Sequence, residues 1–176
     1  MGFAVKCYFS ESTAAPVRAI WDTLDRAGLA SFLKASGSRP GITLGLWEEV
    51  DEQSLRILVD RFSKLNLTPP SIFSYGVATF PTDPAHAFLG IAPTKSLLDF
   101  HQKLHEVDSS ISKICSEYYL PGNWIPHSTL AIRCPRSDLA KIVEKCLEHE
   151  TRIEAKIESI GIVETGSARQ IFEVSL

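Results

Sequence analysis

The stretch Trp124-Ile125-Pro126-His127-Ser128-Thr129-Leu130-Ala131-Ile132 decides how this chain is read. A proline is followed by the polar triplet His-x-Thr and then by an apolar run with strand character. An earlier stretch, Arg39-Pro40-Gly41-Ile42-Thr43-Leu44-Gly45-Leu46, agrees with it at Pro, Thr and Leu and in its apolar tail. The two differ at the position that could carry chemistry, where His127 is answered by Gly41. Positions 41 and 127 lie 86 residues apart, close to half of a 176-residue chain.

Working outward, the same order of elements surrounds each copy. Phe3 to Phe9 alternates apolar and less apolar positions, the period of a half-buried strand. Ser12-Thr13-Ala14-Ala15-Pro16 signals a helix start, with Val17, Ile20, Trp21 and Leu24 on one face. Lys34 to Arg39 reads as a loop leading into a motif strand, Ile42 to Trp47. Asp51 opens a second helix through Leu55, Leu58, Val59 and Phe62, and Ile72 to Phe80 is strand-like. The second half repeats this: a strand at Ala87 to Ile91, a helix from Thr94, a long loop from Ser109 to Trp124, and the motif strand Ser128 to Ile132. A helix from Asp138 to Glu148 follows, then strands at Arg152 to Val163 and Arg169 to Val174. An internal duplication with pseudo-twofold symmetry accounts for this order and places both motifs at one central cleft.

The His-x-Thr spacing has a chemical logic. Residues two apart on a strand share a face, with about 6–7 Å between their Cα atoms. An imidazole and a hydroxyl placed this way can hold one phosphate, the hydroxyl donating to a non-bridging oxygen while the imidazole moves a proton. A structural histidine is an equal alternative for the triplet taken alone. Among the other histidines, His86 opens the strand after the Pro81–Pro84 turn, and His149 reads as a solvated helix end. His101 and His105 lie four apart on a face that also carries Leu97 and Leu104, which favours a core role over a metal site. Tyr119 and Trp124 could stack on a base or anchor the loop. Tyr8 and Lys6 share the less apolar face of the first strand and are candidates for the cleft wall. Arg39 and Arg133 flank the motif strands, either as phosphate contacts or as solvated charges.

Composition narrows the class. A 44% hydrophobic, 22% charged chain has enough apolar residues for a sizeable core. A net charge of −3 gives no field for a DNA duplex. Cys7, Cys115, Cys134 and Cys146 lack the spacing of a zinc site and are expected as reduced, buried thiols. No leader or apolar run long enough for a membrane is evident. A cytoplasmic monomer is expected, with the nucleus open as a location.

The run from Trp124 to Ala131 after a Tyr- and Pro-containing loop, together with Arg39 to Leu44, resembles the 2H phosphoesterase superfamily, the group of 2′-5′ RNA ligase-like and cyclic nucleotide phosphodiesterase proteins. The resemblance covers essentially the whole chain. It implies one α+β bilobal domain over residues 1–176, with repeat halves of roughly 1–81 and 82–176. Two antiparallel sheets would face a central cleft with helices outside. It implies a small nucleotide or an RNA-end phosphate as substrate, and no metal or other cofactor. His127, Thr129 and Thr43 match the catalytic pattern, with Tyr119, Trp124 and Tyr8 as candidate substrate contacts. Gly41 stands where the first motif histidine is expected. Three explanations stay open: a catalytically silent nucleotide- or RNA-end-binding protein, an enzyme in which water, substrate or another side chain takes the missing role, or a glycine introduced to silence an enzyme.

Overall fold

The alternation at the N-terminus is realised as β1 (Phe3–Phe9), which buries Val5, Cys7 and Phe9 in the core. Ala4, Lys6 and Tyr8 take the opposite face and line cavities there. The computed structural model describes residues 2–176. After β1 come α1 (Glu11–Arg26), a short α2 (Phe32–Ala35), β2 (Gly41–Trp47), α3 (Glu52–Ser63) and β3 (Ile72–Phe80). The second half runs β4 (Ala85–Ile91), α4 (Lys95–Val107), α5 (Ser109–Lys113), β5 (His127–Cys134), α6 (Leu139–Cys146), β6 (Glu154–Ala155), β7 (Ile157–Glu164) and β8 (Gln170–Ser175).

Helices α3 and α4 start where side chains cap them. Asp51 accepts from the Ser54 amide at 2.8 Å to start α3, and Thr94 accepts from the Leu97 amide to start α4. The apolar stripes of these two helices meet, with Phe62 and Phe100 edge to face at 5.0 Å. Helix α1 starts at Glu11 with Ser10 as its cap, earlier than the Ser-Thr signal suggests, so Pro16 sits in the second turn rather than the first.

Two antiparallel four-stranded sheets result, with orders β2-β1-β7-β8 and β5-β4-β3-β6. The molecule is thus α+β, with helices packed on the core side of both sheets. Each sheet begins with the first two strands of one half of the chain and continues with a strand from the other half: β7 beside β1, and β3 beside β4. Two sequence expectations are corrected here. The segment Arg152 to Val163 is not one strand. It divides at Lys156 into β6, paired with β3, and β7, paired with β1, so the chain crosses between sheets. The long connection from Ser109 to Trp124 is partly helical, carrying α5 and a 3-10 turn at Glu117–Tyr119. No helix among the described residues is long and apolar enough to cross a membrane.

Candidate active site

Both motif strands carry the same irregularity. On β2, Thr43 faces Lys6 and Gly45 faces Val5, so Leu44 is an extra residue without a partner on β1. On β5, Thr129 faces Phe88 and Ala131 faces Ala87, so Leu130 is the extra residue. A bulge directly after each motif threonine bends the strand and sets the side chains on either side of it. Strands β2 and β5 are the sheet edges that pack against each other, and this brings the two motifs together.

The backbone freed by the bulge does not go unsatisfied. His101 and His105 on α4 both direct Nε2–H to the Leu44 carbonyl, at 3.0 and 3.3 Å. His105 Nδ1 accepts from the Ser112 hydroxyl at 2.9 Å. The motif threonines are held through their own carbonyls: Trp124 Nε1–H donates to Thr43 O and Trp21 Nε1–H to Thr129 O, both at 3.0 Å. Trp124 is buried and stacks on His101 with centroids 4.0 Å apart. It is therefore the anchor of its loop, not a platform for a base. Trp124→Phe leaves the Thr43 carbonyl without its donor and should cost about 1–3 kcal/mol, read as a lower urea midpoint at unchanged slope. A midpoint equal to that of the parent would show that the indole N–H is dispensable.

This buried pair makes stability sensitive to acid. Burial, aided by the neighbouring His105, holds the His101 pKa down at about 4, against the raising effect of its bonds to backbone. The folded state keeps the ring neutral while the unfolded chain protonates near pH 6.5. The contribution is complete above pH 6.5 and is lost as the pH falls from there towards 4, on the order of 3 kcal/mol for His101 alone. His86, His105 and His127 are depressed in the same direction. Denaturation midpoints measured across that window should fall, and less so for His101→Gln. A flat profile in the parent would contradict the assignment.

Thr43, His127 and Thr129 all line one cavity of about 640 Å³ between the sheets, within the range of small-molecule sites. His127 Nδ1–H donates to the Ile125 carbonyl at 2.7 Å, which fixes the tautomer and leaves Nε2 as the acceptor. The ring is packed edge-on against Phe80 at 5.4 Å and beside Phe88 at 5.1 Å. Burial is the main reason its pKa falls below the ordinary histidine value. The Ile125 bond opposes the fall, and the charges of His86 and Lys6 add to it. Beneath the motif, Ser128 Oγ is buried without a hydrogen-bond partner.

The other expected contacts divide. Tyr119 is half-buried on the cavity wall, with the exposed Tyr118 beside it. Tyr8 is buried in an adjoining side pocket, where its hydroxyl donates to Gln170 Oε1 and the Arg39 guanidinium lies 4.2 Å from its ring centre. Gly41 has no room for a side chain: a Cβ there would lie 2.0 Å from the Cys7 carbonyl oxygen. Two cavity residues were left in the background by the sequence, His86 and Arg133. Arg133 adopts φ 59° and rests over Phe32; burial first, and the Arg133 charge second, lower the His86 pKa below the ordinary histidine value. His149, expected as a solvated end, instead bonds Thr23 Oγ1 at 2.9 Å.

The architecture matches solved structures along the entire chain. A crystal structure of a phosphoesterase is similar with a TM-score of 0.58 and 12% identity, covering 99% of this chain and 97% of that one. E. coli LigT complexed with NADP+ gives 0.58 and 12%, over 99% and 93%. LigT complexed with ATP gives 0.54 and 11%, over the same shares. This is the 2H phosphoesterase fold. No protein-family model and no curated protein matches the sequence. At such identities the likeness speaks for the 2H phosphoesterase fold alone, and the chemistry must be argued from the cleft.

Proposed function

We propose that the chain is a phosphodiesterase that opens 2′,3′-cyclic or 2′-5′-linked nucleotide phosphates with side chains alone, without a metal. The observation that carries this is the convergence of Thr43, Thr129 and His127 on one cavity from the edge strands of two sheets. The two hydroxyls donate to the non-bridging oxygens and hold the phosphorus between the sheets. His127, neutral and with Nε2 free, takes a proton from the attacking water. Tyr118 and Tyr119 offer aromatic faces to a base at the mouth. LigT, a protein of the same fold, is known in complexes with NADP+ and with ATP, which accords with a nucleotide in this cleft.

Gly41 favours a second reading, capture of the nucleotide without turnover, because that position supplies no proton-carrying group. Incubation with a 2′,3′-cyclic nucleotide, followed by phosphorus NMR, separates the two. Conversion to a single phosphomonoester is expected. Heat of binding in a calorimeter with no product would establish capture instead. Neither heat nor product would end both readings.

A further inference from the structure

We propose that Lys6 is the general acid of this site, delivering the proton to the oxygen that leaves phosphorus; the assignment rests on the phosphodiesterase reading above and completes it. Hydrolysis of a cyclic phosphodiester makes a P–O bond to water and breaks the bond to a ribose oxygen. His127 Nε2 accepts the proton of water, and the departing alkoxide requires one from elsewhere.

The pseudo-twofold relation between the motifs shows where that donor must stand. In the second lobe His127 faces Gly90 across the strand pair, and Thr129 faces Phe88. In the first, Gly41 faces Tyr8, and Thr43 faces Lys6. Bulk has thus changed strands. Where β5 presents an imidazole beside a glycine on β4, β2 presents a glycine beside side chains from β1. Lys6 is rooted opposite Thr43, and its Nζ–H donates to the Arg39 carbonyl at 2.5 Å. Residues 39, 41 and 43 share one face of the chain entering and forming β2. The lysine stem therefore runs alongside position 41 from the Thr43 end towards the Arg39 end. A side chain at 41 is forbidden by the Cys7 carbonyl, and the ammonium end of Lys6 lies in the side pocket that adjoins the cleft, beside Tyr8 and Arg39. Lys6 is also close enough to His127 for its charge to disfavour the imidazolium, as a paired acid and base require.

The groups facing Lys6 leave it free to give up a proton. Arg39 and Tyr8 border it from the β2 approach and from β1, and Arg169 and Gln170 from the β7–β8 hairpin. The two arginines are already committed to carboxylates, Arg39 to Glu173 at 2.6 Å and Arg169 to Glu164 at 3.1 Å. Burial, and secondarily the Arg39 charge, lower the Lys6 pKa to about 8. The ammonium form dominates at neutral pH yet can release its proton. After each turn the neutral amine and the His127 imidazolium exchange protons with solvent, so the cycle balances.

The test compares two substrates of different leaving group. One is a 2′,3′-cyclic nucleotide, whose leaving alkoxide needs a proton. The other is a nucleoside 5′-(4-nitrophenyl) phosphate, whose nitrophenolate does not. Lys6→Met should lower kcat/KM for the cyclic substrate by about 10²–10⁴-fold and for the nitrophenyl ester by less than about tenfold. Lys6→Arg, which keeps the charge without an exchangeable proton in this range, should lose the same rate and the alkaline limb of the pH profile near 8. Circular dichroism confirms that each variant is folded, and Lys6→Arg decides if Lys6→Met is not. Equal losses on both substrates, or full activity of Lys6→Arg, would overturn the acid role and leave the phosphodiesterase reading intact. A parent chain inactive on both substrates would instead overturn that reading and the acid role with it.

Discussion

Gly41→Ala should destabilise the chain by about 3 kcal/mol or more, and Gly41→His should create no activity. The added Cβ would sit 2.0 Å from the Cys7 carbonyl oxygen and 3.1 Å from Tyr8 Cα. Both are backbone of the central strand β1, so no rotamer change relieves the overlap. Strands β1 and β2 must part, breaking ladder bonds on either side of Tyr8 and Gly41. Overpacking in a core commonly costs 1–3 kcal/mol, and a rigid obstacle puts this case at the upper end or beyond it. Against a total stability of about 5–15 kcal/mol, the imidazole variant is expected mostly in the insoluble fraction. Urea midpoints of the alanine variant give the measurement. A histidine variant as stable as the parent and faster on cyclic nucleotides would refute the view that position 41 is closed.

His127→Ala should reduce kcat/KM on a 2′,3′-cyclic nucleotide by about 10²–10⁴-fold, the range for loss of a general acid or base. The ring is fixed by the Ile125 carbonyl and by Phe80 and Phe88, so its Nε2 lone pair is presented to the cleft without a cost of orientation at each turnover. Because acid and base act as a unit, combining this change with Lys6→Met should cost little more than either alone. In the parent, rate should fall on the acid side with a midpoint below 6.5, since the folded ring resists protonation. That limb should vanish with the imidazole. A variant within about threefold of the parent would remove His127 from the mechanism.

The fold was legible because hydrophobic period and partner choice agree over most of the chain. Val5, Cys7 and Phe9 enter the core as the alternation demands, and Asp51 and Thr94 start helices where their side chains can cap them. The Arg152–Val163 segment misled because Ile153, Ala155 and Ile157 continue the alternation through the crossing. Period reports which face is buried and is silent on which sheet buries it. Thr43, Thr129 and His127 could be placed together from the repeat itself. Trp124 could not be decided, since the same indole can stack on a base or satisfy a carbonyl; its burial against His101 selects the second. Lys6 stayed in the background for a related reason. Its pairing with Thr43 depends on the Leu44 bulge, a property of two strands that neither strand's pattern contains.

The exchange of β3 and β7 between the sheets also bears on how the molecule comes into being. As the chain leaves the ribosome, β1 can pair with β2 early, but its other edge stays open until residues 157–164 have been made. The site therefore cannot be assembled from the first half and then inherited by the second. A chain that stops short of β7 leaves the strand bearing Lys6 with an unpaired edge, and proteolysis between the halves yields two incomplete sheets rather than two lobes. Quality control is thereby tied to the second half: a chain that closes both sheets is one in which β7 has already been made.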